Sequence, residues 1–140
     1  MATVLAHIRV RPGAAERFEE LARQLYQASH STEERVLRYE YWRGEEPSTY
    51  YTLLSFPDYL GFLAHQTSSH HEGASPALRE VIEVIRLEWV DPVAGAAPLA
   101  PTNGAEPPPG ATELEREYAL RFAAKVAEWW GPLRDAHSGA

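Results

Sequence analysis

The sequence predicts an α+β fold with the element order βαββαβ, the split-βαβ or ferredoxin-like arrangement. Two observations lead to this prediction. Extended segments with alternating apolar residues are interleaved with segments whose apolar residues recur every three or four positions. In addition, the two middle extended segments are joined by a short turn, which makes them a hairpin. A chain of 140 residues has room for one such domain.

The first strand and the first helix are separated by a turn. Residues 3–11 alternate as a half-buried strand does, and Pro12 and Gly13 end that strand. A helix with one apolar stripe follows, and it ends in the polar stretch 29–34. The residues expected in its buried stripe are Phe18, Leu21, Ala22, Leu25 and Ser29.

The hairpin and the second half of the fold follow. Strands are predicted at 35–43 and 49–56, and the second helix from Pro57-Asp58 to about Thr67. The stretch "EGASP" at 72–76 is expected to break the chain, and residues 81–90 form the last strand. A helix from Pro76 to about Ile82 is the competing interpretation at the start of that strand.

The predicted strands carry large apolar side chains on both faces, although the two helices cover only one face. Tyr39 and Tyr41 oppose Trp42, and Tyr50 opposes Tyr51. Because an apolar face needs a cover, we expect a homodimer.

Beyond this domain, at 1–92, the chain changes character. Residues 93–111 are a Pro/Ala/Gly-rich linker, and residues 112–140 form an amphipathic helix and tail that begin with the capping box of Thr112 and Glu115. We expect this helix to pack on the outer helices or on a partner, and to stay out of the functional site.

Composition excludes several classes of partner and site. The net charge of −7 opposes binding to nucleic acid or to anionic membranes. The absence of cysteine excludes disulfides and thiolate-ligated metals. No stretch approaches the roughly 20 apolar residues of a membrane span, and no signal-peptide pattern is present, so we expect a cytoplasmic protein.

Three segments carry a resemblance to a known family: residues 8–21, residues 37–44 and the histidine-rich residues 55–72. They resemble the antibiotic biosynthesis monooxygenase family. The family pattern has an aromatic residue and Asp before the second helix, then His, then Ser-x-His, which here are Phe56, Asp58, His65, Ser68 and His70. The resemblance implies a dimeric α/β barrel. It also implies, for some members, oxygenation of quinols or aromatic polyketides without metal or flavin.

Other members degrade haem, and two departures weaken that alternative here. Haem degraders have an Asn on the first strand, near Ala6 and His7 of this chain, and a Trp on the second helix, about where His65 lies.

The oxygenase interpretation assigns roles to eight residues. His65 and His70 are the catalytic candidates, because an imidazole with a pKa near ~6.5 can take a phenolic proton before O₂ reacts. No cofactor is expected. The substrate-binding candidates, aromatic side chains for a planar ring and arginines for its anion, are Arg38, Tyr39, Tyr41, Tyr51, Phe62 and Arg86.

Three alternatives stay open at this point. The first is a helix-end role for His65, with His70 or His71 on a solvated turn. The second is a metal site of His65, His70 and His71, assisted by His7 and Glu72, although the spacing favours no metal. The third is a non-enzymatic dimer of the same fold that binds a small molecule or a partner, with the tyrosines in the dimer interface.

Overall fold

A computed structural model describes residues 1–96, 99–100 and 102–124 and has the predicted α+β architecture. Four strands form one antiparallel sheet in the order β2-β3-β1-β4, which is the ferredoxin-like order. None of the described helices is both long enough and apolar enough to cross a membrane. The elements are β1 (Ala2–Val10), α1 (Ala15–Thr32), β2 (Arg38–Arg43), β3 (Thr49–Phe56), α2 (Tyr59–Gln66), α3 (Ser69–Val81), β4 (Ile82–Trp89) and α4 (Glu113–Arg121).

The helices cover one face of the sheet. The stripe predicted for α1 is buried, as are the alternate side chains of β1 that begin with Val4. Phe18 of α1 packs with Ile8 and Tyr50 of the sheet, while Phe62 of α2 packs with Phe56. The core therefore lies between the sheet and a single helical layer, where a ligand cavity can also form.

The segment after the histidines is helical, which corrects the break predicted at 72–76. Ser68 precedes α3, and its side-chain oxygen accepts a hydrogen bond from the backbone N–H of His71. Pro76 lies inside the helix. Glycine and proline disfavour helix, but the cap and the packing of Leu78 against the core outweigh that preference.

Because this segment is helical, His70 and His71 do not lie where the sequence predicted. Both lie in the first turn of α3 and are partly buried, so neither occupies a solvated turn. The helix begins where α2 ends, and both helices therefore bring histidines to the same end of the helical layer.

The other face of the sheet is largely uncovered. Trp42, Tyr51 and Val84 on this face are 59%, 37% and 52% exposed. Trp42 and Tyr51 are cross-strand neighbours on β2 and β3, so their rings form one apolar patch.

The predicted linker is attached to the edge of this structure. Thr102 is buried, and its hydroxyl accepts a hydrogen bond from the backbone N–H of Thr3 and donates one to the carbonyl of Val90, each at 3.0 Å. The predicted capping box of Thr112 and Glu115 is present. The division into 1–92, 93–111 and 112–140 stays a prediction, and the tail after residue 124 lies outside the described residues.

The described part of the C-terminal helix packs on its own chain. The hydroxyl of Tyr59 on α2 donates to the carbonyl oxygens of Ala119, at 3.3 Å, and Phe122, at 3.0 Å. The indole N–H of Trp89 donates to the carbonyl of Ala123 at 3.0 Å. These bonds satisfy carbonyls that a helix end leaves without partners, and they fix α4 against α2.

The attachment at Thr102 predicts a measurable stability loss. Thr102→Val removes both hydrogen bonds and leaves the buried N–H of Thr3 without this acceptor, so we expect the free energy of unfolding to fall by about 1–3 kcal/mol in chemical denaturation. Thr32→Val is the matched control, because its hydroxyl is exposed and bonds only within α1. Equal effects of the two substitutions would contradict the attachment.

Candidate active site

A cavity of about 610 Å³ lies between the sheet and the helical layer. This volume is in the range of small-molecule sites. Strands β2 and β3, helices α2 and α3, and helix α4 all contribute to its walls. The polar and aromatic residues that line it on the side of β2, β3 and α2 include Tyr39, Tyr41, Thr52, His65 and Gln66, and His71 of α3 is next to them.

His65 lies on the inner side of α2 and is 1% exposed. Its Nδ1 is 3.1 Å from both carboxylate oxygens of Glu33. Because a carboxylate only accepts hydrogen bonds, Nδ1 carries the proton of the neutral ring and Nε2 keeps its lone pair. Nε2 is buried and has no hydrogen-bond partner among the described residues.

Glu33 caps the C-terminal end of α1 and is partly buried. Burial by itself would raise the pKa of this carboxyl, but the hydrogen bonds from His65 and His70 and the electrostatic interaction with His65 lower the pKa below its usual value. The side chain is therefore ionised at neutral pH and can orient His65.

His70 is on the far side of the same carboxylate. Its Nε2 is 2.5 Å from Oε1 of Glu33 and 3.2 Å from the hydroxyls of Ser29 and Ser68. His70 does not line the cavity, in contrast to His65. The structure thus places the second catalytic candidate where it can hold Glu33, and a direct role in catalysis stays a prediction.

Glu33, His65 and His70 also form the group that could hold a divalent cation, since their ligand atoms lie within 4.8 Å of one another. The same atoms are within hydrogen-bond distance, so the group is also satisfied without an ion. Of the metal ligands considered from the sequence, His65 and His70 belong to this group, whereas His7 and Glu72 have other partners. His7 lies on the uncovered face, bonded to Glu88 at 2.8 Å, and Glu72 accepts a hydrogen bond from Tyr118.

His71 lies beside His65, with ring centroids 5.0 Å apart. Burial lowers its pKa to about 4, and the nearby His65 and His70 act in the same direction. His71 is therefore neutral at pH 7. Its Nδ1 is buried and has no hydrogen-bond partner among the described residues.

Three buried side-chain atoms lack a hydrogen-bond partner in the described part of the chain: Thr52 Oγ1, His65 Nε2 and His71 Nδ1. All three belong to residues that line the cavity. Since most buried polar groups in proteins are hydrogen-bonded, these three atoms can accept or donate hydrogen bonds to a water molecule or a ligand in the cavity.

Tyr39 and Tyr41 form an aromatic wall. Their hydroxyl oxygens are 2.6 Å apart, and the ring of Tyr39 meets that of His65 edge-on with centroids 5.0 Å apart. Burial raises the pKa of Tyr39 well above its usual value and that of Tyr41 to about 12. Both hydroxyls are therefore protonated at neutral pH.

Four of the substrate-binding candidates do not line the cavity. Arg38, Tyr51 and Arg86 are on the uncovered face of the sheet, where Arg86 lies 3.3 Å from Glu88. Phe62 is buried in the core, with its ring against Phe56.

Two arginines line the cavity that were not among the candidates predicted from the sequence. They are Arg79 on α3 and Arg121 on α4. The expectation that the C-terminal helix stays out of the site is therefore wrong. Glu33 was also missed, because 32 positions separate it from His65 and no spacing in the sequence connects them.

Comparison with known proteins supports the same fold. Residues 1–77 match the model of the antibiotic biosynthesis monooxygenase family. PA3566 from Pseudomonas aeruginosa is 22% identical, with a TM-score of 0.59 over 64% of this chain and 90% of that chain. A solved antibiotic biosynthesis monooxygenase is 20% identical, with a TM-score of 0.61 over 67% of this chain and 100% of that chain. No curated protein shows significant similarity.

The buried His71 predicts a pH dependence of stability. Its folded pKa of about 4 is below the usual value of 6.5, so the unfolded chain takes up a proton first as the pH falls. Stability contributed by this residue is therefore lost between pH 6.5 and 4, by about 3 kcal/mol in total. His71→Gln should flatten this part of a denaturation-against-pH profile, while His30→Gln, at an exposed histidine, should not. Parallel profiles for all three proteins would contradict a buried neutral His71.

Proposed function

The chain belongs to the antibiotic biosynthesis monooxygenase family, and from that premise we propose that it is a cofactor-independent monooxygenase of quinols or aromatic polyketide-like compounds. One observation supports the proposal above all others. His65 lines the cavity, and the carboxylate of Glu33 holds one of its ring nitrogens while the other has no hydrogen-bond partner among the residues that the structure describes. An imidazole oriented in this way is the usual design of a general base.

The first step is removal of a proton from a hydroxyl of the substrate. Nε2 of His65 accepts this proton, and Glu33 stabilises the resulting imidazolium through Nδ1. Because Nε2 is shielded from water, a substrate must reach it past the side chains that cover it. The buried site strengthens the interaction between Glu33 and the imidazolium.

The second step is reaction of the aryl-oxide anion with O₂. The anion transfers one electron to O₂, and the aryloxyl radical and superoxide combine at a ring carbon to give a peroxide, which takes the proton back from His65. His65 then removes the proton from that carbon as the O–O bond breaks, and it passes this proton to the departing hydroxide, which leaves as water. One oxygen atom stays as a new carbonyl and the other becomes water. The substrate supplies all four electrons, so the reaction balances without an external reductant.

Tyr39 and Tyr41 form the part of the cavity wall that would contact the aromatic ring of the substrate. Their rings present an apolar surface on which a planar aromatic substrate can pack, and the hydroxyl of Thr52, which also lines the cavity, has no hydrogen-bond partner in the described part of the chain. Excluding water from this wall also protects the peroxide from side reactions.

Loss of the base predicts loss of turnover. With 1,5-dihydroxynaphthalene as substrate in an oxygen electrode, His65→Ala should reduce O₂ consumption by roughly 10²- to 10⁴-fold. Glu33→Gln should lower it less and should change its pH profile, because the amide no longer stabilises the imidazolium. His30→Ala, at an exposed histidine on α1, is the control and should turn over normally.

Two results would argue against this function. Undiminished turnover by His65→Ala would remove His65 from the mechanism. Tight binding of dihydroxyaromatics by the wild type without any O₂ consumption would instead support the alternative, a binding module of the same fold.

We also propose that two chains associate through the uncovered faces of their sheets. Trp42 and Tyr51 form an exposed apolar patch there, and an interface of this kind buries on the order of 2,000 Å² or more in total. Sedimentation of the wild type at micromolar concentration should give a dimer, and Trp42→Glu should shift it towards the monomer. Tyr26→Glu, at an exposed tyrosine on α1, should not. A monomeric wild type would contradict the proposal.

A further inference from the structure

The C-terminal helix supplies part of the wall of the His65 cavity. Tyr118, Arg121 and Phe122 line this cavity, although all three lie outside residues 1–77 that match the family model. The cavity is therefore completed by a segment that lies outside the residues matched by the family model.

The position of this wall is fixed by contacts on both sides. Phe122 meets Phe62 of α2 edge-on, with ring centroids 6.0 Å apart, and its carbonyl accepts the hydroxyl of Tyr59. On the α3 side, the hydroxyl of Tyr118 donates to Glu72 at 2.7 Å. Helix α4 thus connects α2 and α3 across one side of the cavity.

Arg121 is the cation that this wall brings to the cavity. Its guanidinium carbon lies 5.2 Å from the ring centroid of Phe122 and 5.9 Å from that of Tyr118. In the described part of the chain, no carboxylate lies within the 4.0 Å of an ion pair with it. Its guanidinium therefore keeps hydrogen-bond donors for a ligand, while aromatic rings limit where it can go.

The other charged side chains that line the cavity are Glu72, Arg79 and Glu83, and they are less suited than Arg121 to bind an anionic group of a ligand. Glu72 already accepts the hydrogen bond from Tyr118, which satisfies part of its charge. Arg79 on α3 is the other arginine of the cavity, but among the described residues only Arg121 has its guanidinium held against aromatic rings. An anionic group of a ligand has a specific planar partner in Arg121, which can hold a carboxylate with two parallel hydrogen bonds.

We propose that Arg121 determines the specificity of the cavity by binding the carboxylate of an aromatic hydroxy acid. The carboxylate lies at the α4 wall, and the ring packs along Tyr39 and Tyr41 in the same cavity as His65. This proposal rests on the proposed function for the hydroxyaromatic class of the substrate. It adds that the substrate already carries the negative charge of its carboxylate before His65 removes the proton of its hydroxyl group.

The test compares two ligands of nearly the same shape in the full-length protein. 1-Hydroxy-2-naphthoate carries the carboxylate and 1-naphthol lacks it. Their affinities are measured by anaerobic titration calorimetry, so that binding is read without turnover. Wild type should prefer the acid, and Arg121→Gln should weaken binding of the acid about 10- to 100-fold with little change for 1-naphthol.

Two further variants separate charge from structure. Arg121→Lys keeps the charge without the planar fork and should retain part of the preference. Arg116→Gln removes a positive charge from the same helix at a residue that does not line this cavity, and it should bind both ligands as the wild type does.

The remaining outcomes would overturn the proposal. These are a wild type that binds neither ligand or shows no preference, an Arg121→Gln protein that keeps the preference, and one that loses both ligands equally. The oxygen electrode reports separately on the proposed function. A preference that depends on Arg121 without any O₂ consumption would leave the specificity role standing and remove the oxygenase.

Discussion

The charge of Glu33 has to be compensated, and that requirement fixes the arrangement of three elements. A carboxylate removed from water needs hydrogen-bond donors, and Glu33 obtains them from His65 on α2 and His70 on α3. The carboxylate itself is at the end of α1. The three helices can therefore bury this end of the layer only if both imidazoles meet the carboxylate, so the same contacts give the layer its shape and His65 its orientation.

The cavity combines residues within the family match with residues outside it. The sheet and the helices up to α3 supply the imidazoles, the two tyrosines of β2 and the hydroxyl of Thr52. The segment after β4 supplies the aromatic and cationic wall. The proposed base and the proposed anion-binding residue thus come from different parts of the chain. His65 lies within residues 1–77, while Arg121 lies outside that range.

The order of the strands could be predicted from the sequence, because alternation and turn residues report local geometry directly. Helix α3 could not, since Gly73 and Pro76 disfavour helix locally and only the cap at Ser68 and packing on the core decide the outcome. Arg38 and Tyr39 are consecutive residues of β2, so their side chains lie on opposite faces of the sheet. The sequence did not reveal which parity faces the helices, because both faces carry aromatic residues. The role of Glu33 could not be predicted for another reason, because its contact with His65 exists only after the chain has folded.

The position of α4 after the last strand has a consequence for synthesis. A chain leaves the ribosome from its N-terminus, so all four strands and the histidine cluster emerge before the final wall of the cavity. The nascent protein can assemble its sheet and pair Glu33 with His65 while that side of the cavity is still open. A chain terminated before α4 would keep the proposed proton acceptor without the helix that carries the proposed anion-binding residue. In the proposed mechanism, the selectivity of the site is therefore acquired only at the end of translation.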